Sequence, residues 1–340
     1  MNFIDAPNIR AFDSSYAEDT MNIPNRLVVF TLASLPLLLA SARAEHRAPA
    51  AQDKIVPPSA EYLARIRELA PAKATAVPAA PRKVLIFDLA TGFKHDVIPH
   101  VNEVIGILGE KTGAFTSETT RDILRFTPES LAKVDAVVLN NSCTVGPRRN
   151  MFLDVLDKEP AFKDLTTEER AAKAAELEKS LLHFVAGGKG IVGVHGGLTF
   201  LNKSPEFTGM IGANFDFHPA KEILTLNPVE PAHPLLAAFG GEDFVHYDEP
   251  YVFGSPYADK NFRPLLKIDP AKLKPATAAK LKADVRYVSW IKPHGKGRVF
   301  YCGPSHQPES YETAALLRYY LDGIQYAIGD LKCDDAPRKE

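Results

Sequence analysis

The stretch that decides the fold reads Ala-Gly-Gly-Lys-Gly-Ile-Val-Gly-Val-His-Gly-Gly, residues 186–197. Its first glycines are typical of the end of a helix, and the short apolar run 191–194 is typical of a strand buried on both faces. Residues 193–197 follow the G-x-Nu-x-G frame of a nucleophile elbow, in which small neighbours allow a sharp turn out of a strand. His195 occupies its centre. The stretch predicts a buried strand that presents an imidazole at the edge of a sheet.

Strand and helix signals alternate on both sides of this stretch. Buried strands are predicted over 83–87 and 136–139, and apolar residues at helical spacing follow the first of them. A capping box at 166–169 begins a helix that ends near Ala186. The later half is richer in strands, predicted over 222–226, 244–253, 287–291 and 298–302, with a hairpin turn at 294–297 and a closing helix over about 311–328. We expect an α/β fold whose mainly parallel sheet carries helices on both faces.

Composition and missing motifs exclude several functions. The formal net charge of −2 comes without a basic run, which argues against a nucleic-acid partner. The chain has no G-x-S-x-G, G-x-G-x-x-G, phosphate-binding loop or H-E-x-x-H. Its three cysteines, Cys143, Cys302 and Cys333, show neither a disulfide framework nor metal-ligand spacing.

The N-terminal part has the organisation of an exported protein. Residues 21–44 combine a basic residue, an apolar run and an A-x-A end, which predicts a secretory signal peptide with Met21 as the true start and 1–20 upstream of it. The apolar run is shorter than the roughly 20 residues that cross a bilayer, so we expect cleavage, no remaining membrane span and a periplasmic or secreted protein. An Ala/Pro-rich tether is predicted over 45–81, with a helical pattern at 59–69 that could dock on the domain. The folded domain is predicted over 82–332.

Polar side chains follow the ends of several predicted strands. His95, the pair Asn140-Asn141 and His195 each come after a buried strand, and in an open α/β sheet such positions meet at one ligand-binding edge. An imidazole there could act as a general base or hold a metal, because its pKa lies near neutrality. The alternative for His195 is a core histidine bonded to backbone.

Three further candidates have equally ordinary alternatives. His218, followed by a proline, is either oriented for function or a turn histidine, and Glu249 is either an acid/base group or part of a solvated strand edge. His306 lies in the segment 305–311, where Ser310 is expected to cap the last helix. We assign no function to the remaining histidines, His46, His100, His183, His233 and His294.

Taken in order, these motifs resemble the ThuA-like (trehalose utilisation) family of the class I glutamine amidotransferase-like superfamily. The motifs are Thr91-Gly92-Phe93-Lys94-His95-Asp96, Gly193-Val194-His195, Phe217-His218-Pro219, Asp248-Glu249-Pro250-Tyr251, and Gly297-Arg298-Val299-Phe300-Tyr301 with His306-Gln307-Pro308-Glu309-Ser310-Tyr311. The similarity covers roughly residues 82–330 and implies a flavodoxin-like sheet in one domain. This sequence has His195 where true amidotransferases carry a cysteine, so the resemblance does not extend to glutamine hydrolysis through a thiolate. Two departures are an insertion at about 146–165, predicted to be irregular over 147–165 and expected to reshape the pocket rim, and Gly196-Gly197 in place of the usual Ala pair, expected to leave more room.

The resemblance implies a carbohydrate-active enzyme, a hydrolase or lyase acting on a disaccharide or a 3-keto-glycoside, and the predicted signal peptide adds the expectation that it is exported. His195 would be the central base or ligand, while His95, His218, Glu249 and His306 would orient the substrate, move protons or hold a divalent metal such as Zn or Mn. The substrate-binding candidates are Phe93, Asn140, Asn141, Tyr247 and Tyr311. Two alternatives stay open: a non-catalytic sugar-binding or scaffold module, and a hydrolase that uses Cys143. Self-association into a homo-oligomer is also left open.

Overall fold

The computed structural model describes residues 55–281, 286–304 and 306–338. The predicted signal peptide over 21–44 and the residues before it lie outside this part. The α-helices of the described part are α1 (Ala60–Leu69), α2 (Ile98–Thr112), α3 (Pro128–Leu131), α4 (Met151–Lys158), α5 (Thr167–Ala186), α6 (Pro205–Ile211), α7 (Pro275–Lys280) and α8 (Ala314–Ala327). Its strands are β1 (Lys83–Phe87), β2 (Thr116–Thr120), β3 (Ala136–Asn140), β4 (Gly190–Val194), β5 (Asn214–Phe217), β6 (Glu222–Pro228), β7 (Phe244–Asp248), β8 (Val252–Gly254), β9 (Arg263–Ile268), β10 (Tyr287–His294) and β11 (Gly297–Cys302).

Nine of the described strands form one sheet in the order β2-β1-β3-β4-β11-β10-β9-β6-β7. The pairs from β2 to β11 are parallel, and the pairs from β11 to β7 are antiparallel. Four antiparallel steps separate β11 from β7, so β7 runs in the same direction as the parallel strands. The last two strands, β5 and β8, pair in a separate small sheet.

Apolar side chains cover both faces of the large sheet. Along β1, Val84 and Ile86 pack with α1, α2 and α8, while Leu85 and Phe87 pack with α4, α5 and α6 on the opposite face. All four side chains are buried, as expected for a strand enclosed between two helical layers. The predicted α/β architecture with helices on both faces is confirmed.

The sequence did not predict three strands, β2, β5 and β9, and divided others differently. Strand β2 is polar and lies at the edge of the sheet, where none of its residues is buried, so it carries no hydrophobic run. Strand β5 is short and also has no buried residue. Strand β9 begins Arg263-Pro264, which masks its apolar part. The strand predicted over 244–253 is two strands, β7 and β8, which belong to different sheets. The segment between them contains Pro250, which has no amide to donate to a strand ladder.

Two local predictions were wrong. Residues 147–165, expected to be irregular, contain helix α4, whose amide at Leu153 is capped by the Asn150 side chain and whose residues Met151 and Phe152 reach the core. Ser310 does not cap the last helix, because that helix begins after Thr313 and Ser310 lies in a preceding short 3-10 helix.

The described part of the predicted tether, 55–81, packs on the domain. The helix expected over 59–69 is present as α1, and its Ile66 is fully buried. The Tyr62 hydroxyl donates to the Pro308 carbonyl oxygen over 3.1 Å, and the Thr75 amide donates to the Gln325 side chain over 2.9 Å. The tether prediction is therefore wrong for these residues, since apolar and polar contacts both hold the segment on the domain. None of the described helices has the length and hydropathy that crossing a bilayer would require.

Candidate functional site

The sheet brings four chemically active side chains to one edge. His195 follows β4 directly, Glu249 follows β7 directly, and His95 and His306 lie in the loops after β1 and β11. Because these four strands run in the same direction, their carboxyl ends lie at the same edge of the sheet. The strand order therefore brings together residues that are far apart in the sequence.

His95, His195, Glu249 and His306 form a compact cluster, called here the His/Glu cluster. One ligand atom from each residue lies within 4.8 Å of those of the other three. The three imidazole rings form a nearly equilateral triangle, with centroids 5.0 to 5.1 Å apart and planes close to perpendicular. The two carboxylate oxygens of Glu249 lie 3.3 Å from His195 Nε2 and 3.1 Å from His306 Nε2.

The backbone at His195 is held in an uncommon conformation. Its φ of 44° lies in the left-handed region, which non-glycine residues rarely adopt. His195 Nδ1 donates to the Gly303 carbonyl oxygen over 2.8 Å, and the Tyr301 hydroxyl donates to the His195 carbonyl oxygen over 3.2 Å. Because the Gly303 carbonyl can only accept, it selects the tautomer that leaves the Nε2 lone pair facing the cluster. The alternative of a core histidine bonded to backbone therefore describes one nitrogen of this ring and not the other.

The two glycines after His195 permit close packing rather than leaving room. A Cβ on Gly196 would lie 2.3 Å from Cys143 Sγ and 2.9 Å from His95 Cε1, and a Cβ on Gly197 would lie 2.1 Å from the Leu139 carbonyl oxygen. The expectation of extra space at Gly196-Gly197 was wrong, because the neighbouring loops fill it. The missing side chain of Gly196 allows His95 to approach the cluster, and that of Gly197 allows the chain to pack against Leu139.

Burial and charge act differently on the members of the cluster. Burial and the nearby His195 and His306 hold the pKa of His95 well below its usual value. Burial also opposes charge on His195, but the Glu249 and Asp248 carboxylates outweigh it and raise the pKa of this imidazole. Burial would favour the neutral acid at Glu249, yet His195 and His306 reverse this and lower its pKa. The cluster therefore combines a neutral imidazole at His95 with an ionised carboxylate at Glu249.

A pocket of about 210 Å³ opens beside the cluster, with His95 and Glu249 in its wall. His218 also lines it, and its side chain is 37% exposed, so this ring is the accessible imidazole. His218 Nδ1 donates to the Pro219 carbonyl oxygen over 2.8 Å, and His218 Nε2 lies 3.6 Å from Glu249 Oε2. The ring stacks on Tyr251 with centroids 5.7 Å apart. Its free nitrogen is thereby directed toward Glu249.

The predicted substrate-binding residues are placed differently from one another. Phe93 lines the pocket, with its ring edge-on to His95 at 4.8 Å. Asn140 and Asn141 are fully buried, and the Asn140 side-chain amide donates to the carbonyl oxygen of Ile98, the first residue of α2. Tyr247 lies on the exposed face of β7 outside the pocket, and Tyr311 is buried in the core with its hydroxyl donating to Tyr320. These last four residues do not line the pocket, since strand alternation and core packing direct their side chains elsewhere.

Cys143 lies in the pocket wall but lacks the properties of a nucleophile. Burial raises the pKa of its thiol to about 12, and Sγ lies 3.5 Å from the Gly196 carbonyl oxygen, a contact that suits a protonated thiol. The thiolate needed for attack is therefore scarce at neutral pH, which contradicts the Cys143 hydrolase alternative.

Two cations near the cluster were not among the residues predicted from the sequence. Arg149 lines the pocket, and Lys221 Nζ lies 3.5 Å from His306 Nδ1. Lys221 comes just before β6, whose first residue lies at the same edge of the sheet. Lys221 could have been predicted to lie near the cluster only if the direction of β6 had been known.

Comparisons with known proteins agree with this architecture. A family model described as ThuA, trehalose utilisation, matches residues 83–327. A ThuA-like protein from Bacteroides uniformis is 14% identical, with a TM-score of 0.54 over 74% of this chain and 93% of its own. A second, from Parabacteroides merdae, is 16% identical, with a TM-score of 0.52 over 77% of this chain and 93% of its own. At such identities the likeness concerns the fold. Curated protein sequences give no match.

Proposed function

Since this chain belongs to the ThuA (trehalose utilisation) family, we propose that it is an exported enzyme that acts on a disaccharide or 3-keto-glycoside at the His/Glu cluster. The observation that carries the proposal is the convergence of three buried imidazole nitrogens on one carboxylate. Among the described residues, none of His95 Nδ1, His195 Nε2 and His306 Nε2 has an aligned hydrogen bond, and the last two share Glu249 at 3.3 and 3.1 Å. One carboxylate is a poor match for three buried nitrogens, so a bound group is the natural reason to keep them.

A divalent metal such as Zn or Mn fits this donor set. Three imidazoles and one carboxylate are ligands that both metals accept, and the lowered pKa values of His95 and Glu249 keep these two groups deprotonated. The Gly303 carbonyl is the outer group that orients the His195 ring, because it accepts from Nδ1 over 2.8 Å and leaves Nε2 for the metal. A bound metal would polarise a sugar oxygen in this pocket.

The chain's own residues supply the proton transfer. His218 is accessible, and its carbonyl-bonded Nδ1 leaves Nε2 free to accept a proton. In the keto-glycoside route, Nε2 takes the proton from C2, beside the C3 ketone, and the electron pair moves onto the ketone oxygen. Its return forms a C1=C2 double bond as the glycosidic C1–O bond breaks, and the His218 imidazolium gives the proton to the departing oxygen. Phe93 and Tyr251 provide ring faces for the sugar.

The test combines metal analysis with turnover on protein purified without a His-tag. We expect about one equivalent of metal, product from trehalose, sucrose or their 3-keto forms, and loss of both activity and metal in His195→Ala. His183→Ala is the matched control, because His183 is an exposed histidine of α5. Binding without product, unchanged in His195→Ala, would favour a sugar-binding module instead. Full activity with no metal and no effect of a chelator would remove the metal from the proposal.

A further inference from the structure

Arg149 presents an unused guanidinium to the pocket. The residue is half-buried and lines the same cavity as Glu249 and His218. Its guanidinium carbon lies 5.3 Å from the centre of the Phe215 ring. Among the described residues, no carboxylate or other acceptor forms a hydrogen bond or ion pair with Arg149.

The neighbouring residue Arg148 shows that carboxylates are available close to Arg149. Arg148 donates to Asp157 over 2.6 Å and to Asp154 over 3.2 Å, both on α4. Asp154 also accepts from the Thr91 hydroxyl over 2.6 Å. Arg148 thus fastens this loop to the helix, while Arg149 faces the cavity.

The backbone holds Arg149 in this orientation at some cost. Its φ of 42° lies in the left-handed region, which disfavours residues other than glycine. Directly after it, Asn150 caps α4, so the loop has little freedom to relax. On the other side, Phe215 is fixed by Asn202, whose side chain bonds both its amide and its carbonyl. A guanidinium kept in place by a strained residue and a fixed ring is suited to binding rather than to stability.

We infer that Arg149 binds an oxyanion, above all a carboxylate, carried by the sugar that enters this pocket. This inference rests on the proposed function and defines its substrate class. A guanidinium pairs with a carboxylate through two parallel hydrogen bonds. The one carboxylate among the described lining residues, Glu249, is engaged by His195 and His306, so Arg149 has no internal counter-ion. At about 210 Å³ the cavity suits one sugar unit.

The experiment measures calorimetric binding of three probes to the full, metal-loaded protein. The probes are methyl α-glucoside, which is neutral, methyl α-glucuronide, which carries a carboxylate, and glucose 6-phosphate. We expect the wild type to bind the glucuronide about 10- to 100-fold more tightly than the glucoside. This preference should vanish in Arg149→Gln, weaken in Arg149→Lys, and persist in the control Lys158→Gln, which removes an exposed cation from the last turn of α4.

Each outcome decides the inference. An Arg149-dependent preference for glucose 6-phosphate over both glycosides would support an oxyanion site and identify phosphate as its ligand. Equal binding of all three probes, a preference that survives in Arg149→Gln, or no binding of any probe would overturn it. Turnover separates this failure from failure of the proposed function: a neutral keto-glycoside processed equally by wild type and Arg149→Gln would leave the function intact and refute the anionic substrate.

Discussion

Two of the cavities in the described part of this protein differ in their chemistry, and their volumes do not show the difference. The larger, about 840 Å³, is an open groove between α1 and the loop at 308–312, lined by Glu61, Arg65 and other exposed polar residues. The smaller, about 210 Å³, lies at the carboxyl ends of the strands and contains Glu249, His95 and His218. Three buried imidazole nitrogens without an aligned hydrogen bond converge in the cluster beside the smaller one, whereas the groove has a single such nitrogen among its described lining residues, His100 Nδ1. Chemistry is therefore expected where backbone topology concentrates donors, and the groove is expected to contribute to stability.

The largest effect expected from this difference is that of Glu249→Gln. Removing the charge from the cluster should lower metal affinity and activity by more than about 100-fold, since even outer groups of metal sites contribute 10- to 100-fold. Glu309→Gln, an exposed carboxylate of the groove, is the control and should change neither. Metal titration and turnover of both variants provide the measurement. Unchanged metal affinity in Glu249→Gln would contradict the assignment.

His218→Ala separates proton transfer from metal binding. We expect kcat to fall by about 10²- to 10⁴-fold, because a general base is lost, while metal content stays at the wild-type level. The matched control is His100→Ala in the groove, where the imidazole packs edge-on to Tyr62 at 4.9 Å. Steady-state kinetics with metal analysis checks both. A normal kcat in His218→Ala would move the base elsewhere.

Gly196→Ala tests how tightly the pocket side is packed. The new methyl would meet Cys143 Sγ and His95 Cε1, so we expect a loss of about 1–3 kcal/mol in the free energy of unfolding and weaker metal binding. Adding Cys143→Ala should restore part of both. Gly209→Ala is the control, because nothing lies within 4 Å of a Cβ there. Denaturant unfolding of the three variants gives the answer, and equal stability of Gly196→Ala and wild type would refute the close packing.

The smallest effect is a pair of opposite pH dependences in metal-free protein. The folded-state pKa of His195 lies above its usual value of 6.5, so its proton stabilises the fold below that pH, and this contribution is lost as pH rises through the raised pKa. For His95 the pKa is lowered, so protonation of the unfolded chain costs stability as pH falls below 6.5.

Melting temperatures between pH 5 and 8, with chelator present, test this contrast. Relative to wild type, His195→Gln should lose more stability at pH 5 than at pH 8, and His95→Gln should lose less. His100→Gln in the groove should follow His95, because burial lowers its pKa too. Parallel curves for His95→Gln and His195→Gln would show that the two imidazoles do not differ in charge.

The ends of the predicted strands were enough to predict the cluster. They could not predict the orientation of side chains that is decided by packing. His95 and His195 follow strands with unmistakable apolar runs, so their meeting at one edge could be predicted. The same reasoning misplaced Asn140, because a residue at a strand end can turn either to the pocket or to the loops behind it.

Arg149 escaped prediction for a related reason. Its segment was interpreted as irregular, although Met151 and Phe152 are spaced to bury one face of a short helix. Only the pairing of Arg148 with that helix shows which of the two arginines remains available. Such a choice depends on tertiary contacts that no local pattern contains.

The hydrogen bond from Tyr62 to Pro308 has a practical consequence for protein production. The matched family region begins at residue 83, so a shortened gene drawn to that boundary would omit α1. It would uncover the surface that Ile66 covers and release the loop that begins with His306 from its outer restraint. If the truncated protein failed to bind metal, the cause would be the missing contacts of α1. The result could be mistaken for evidence that the full chain has no catalytic activity.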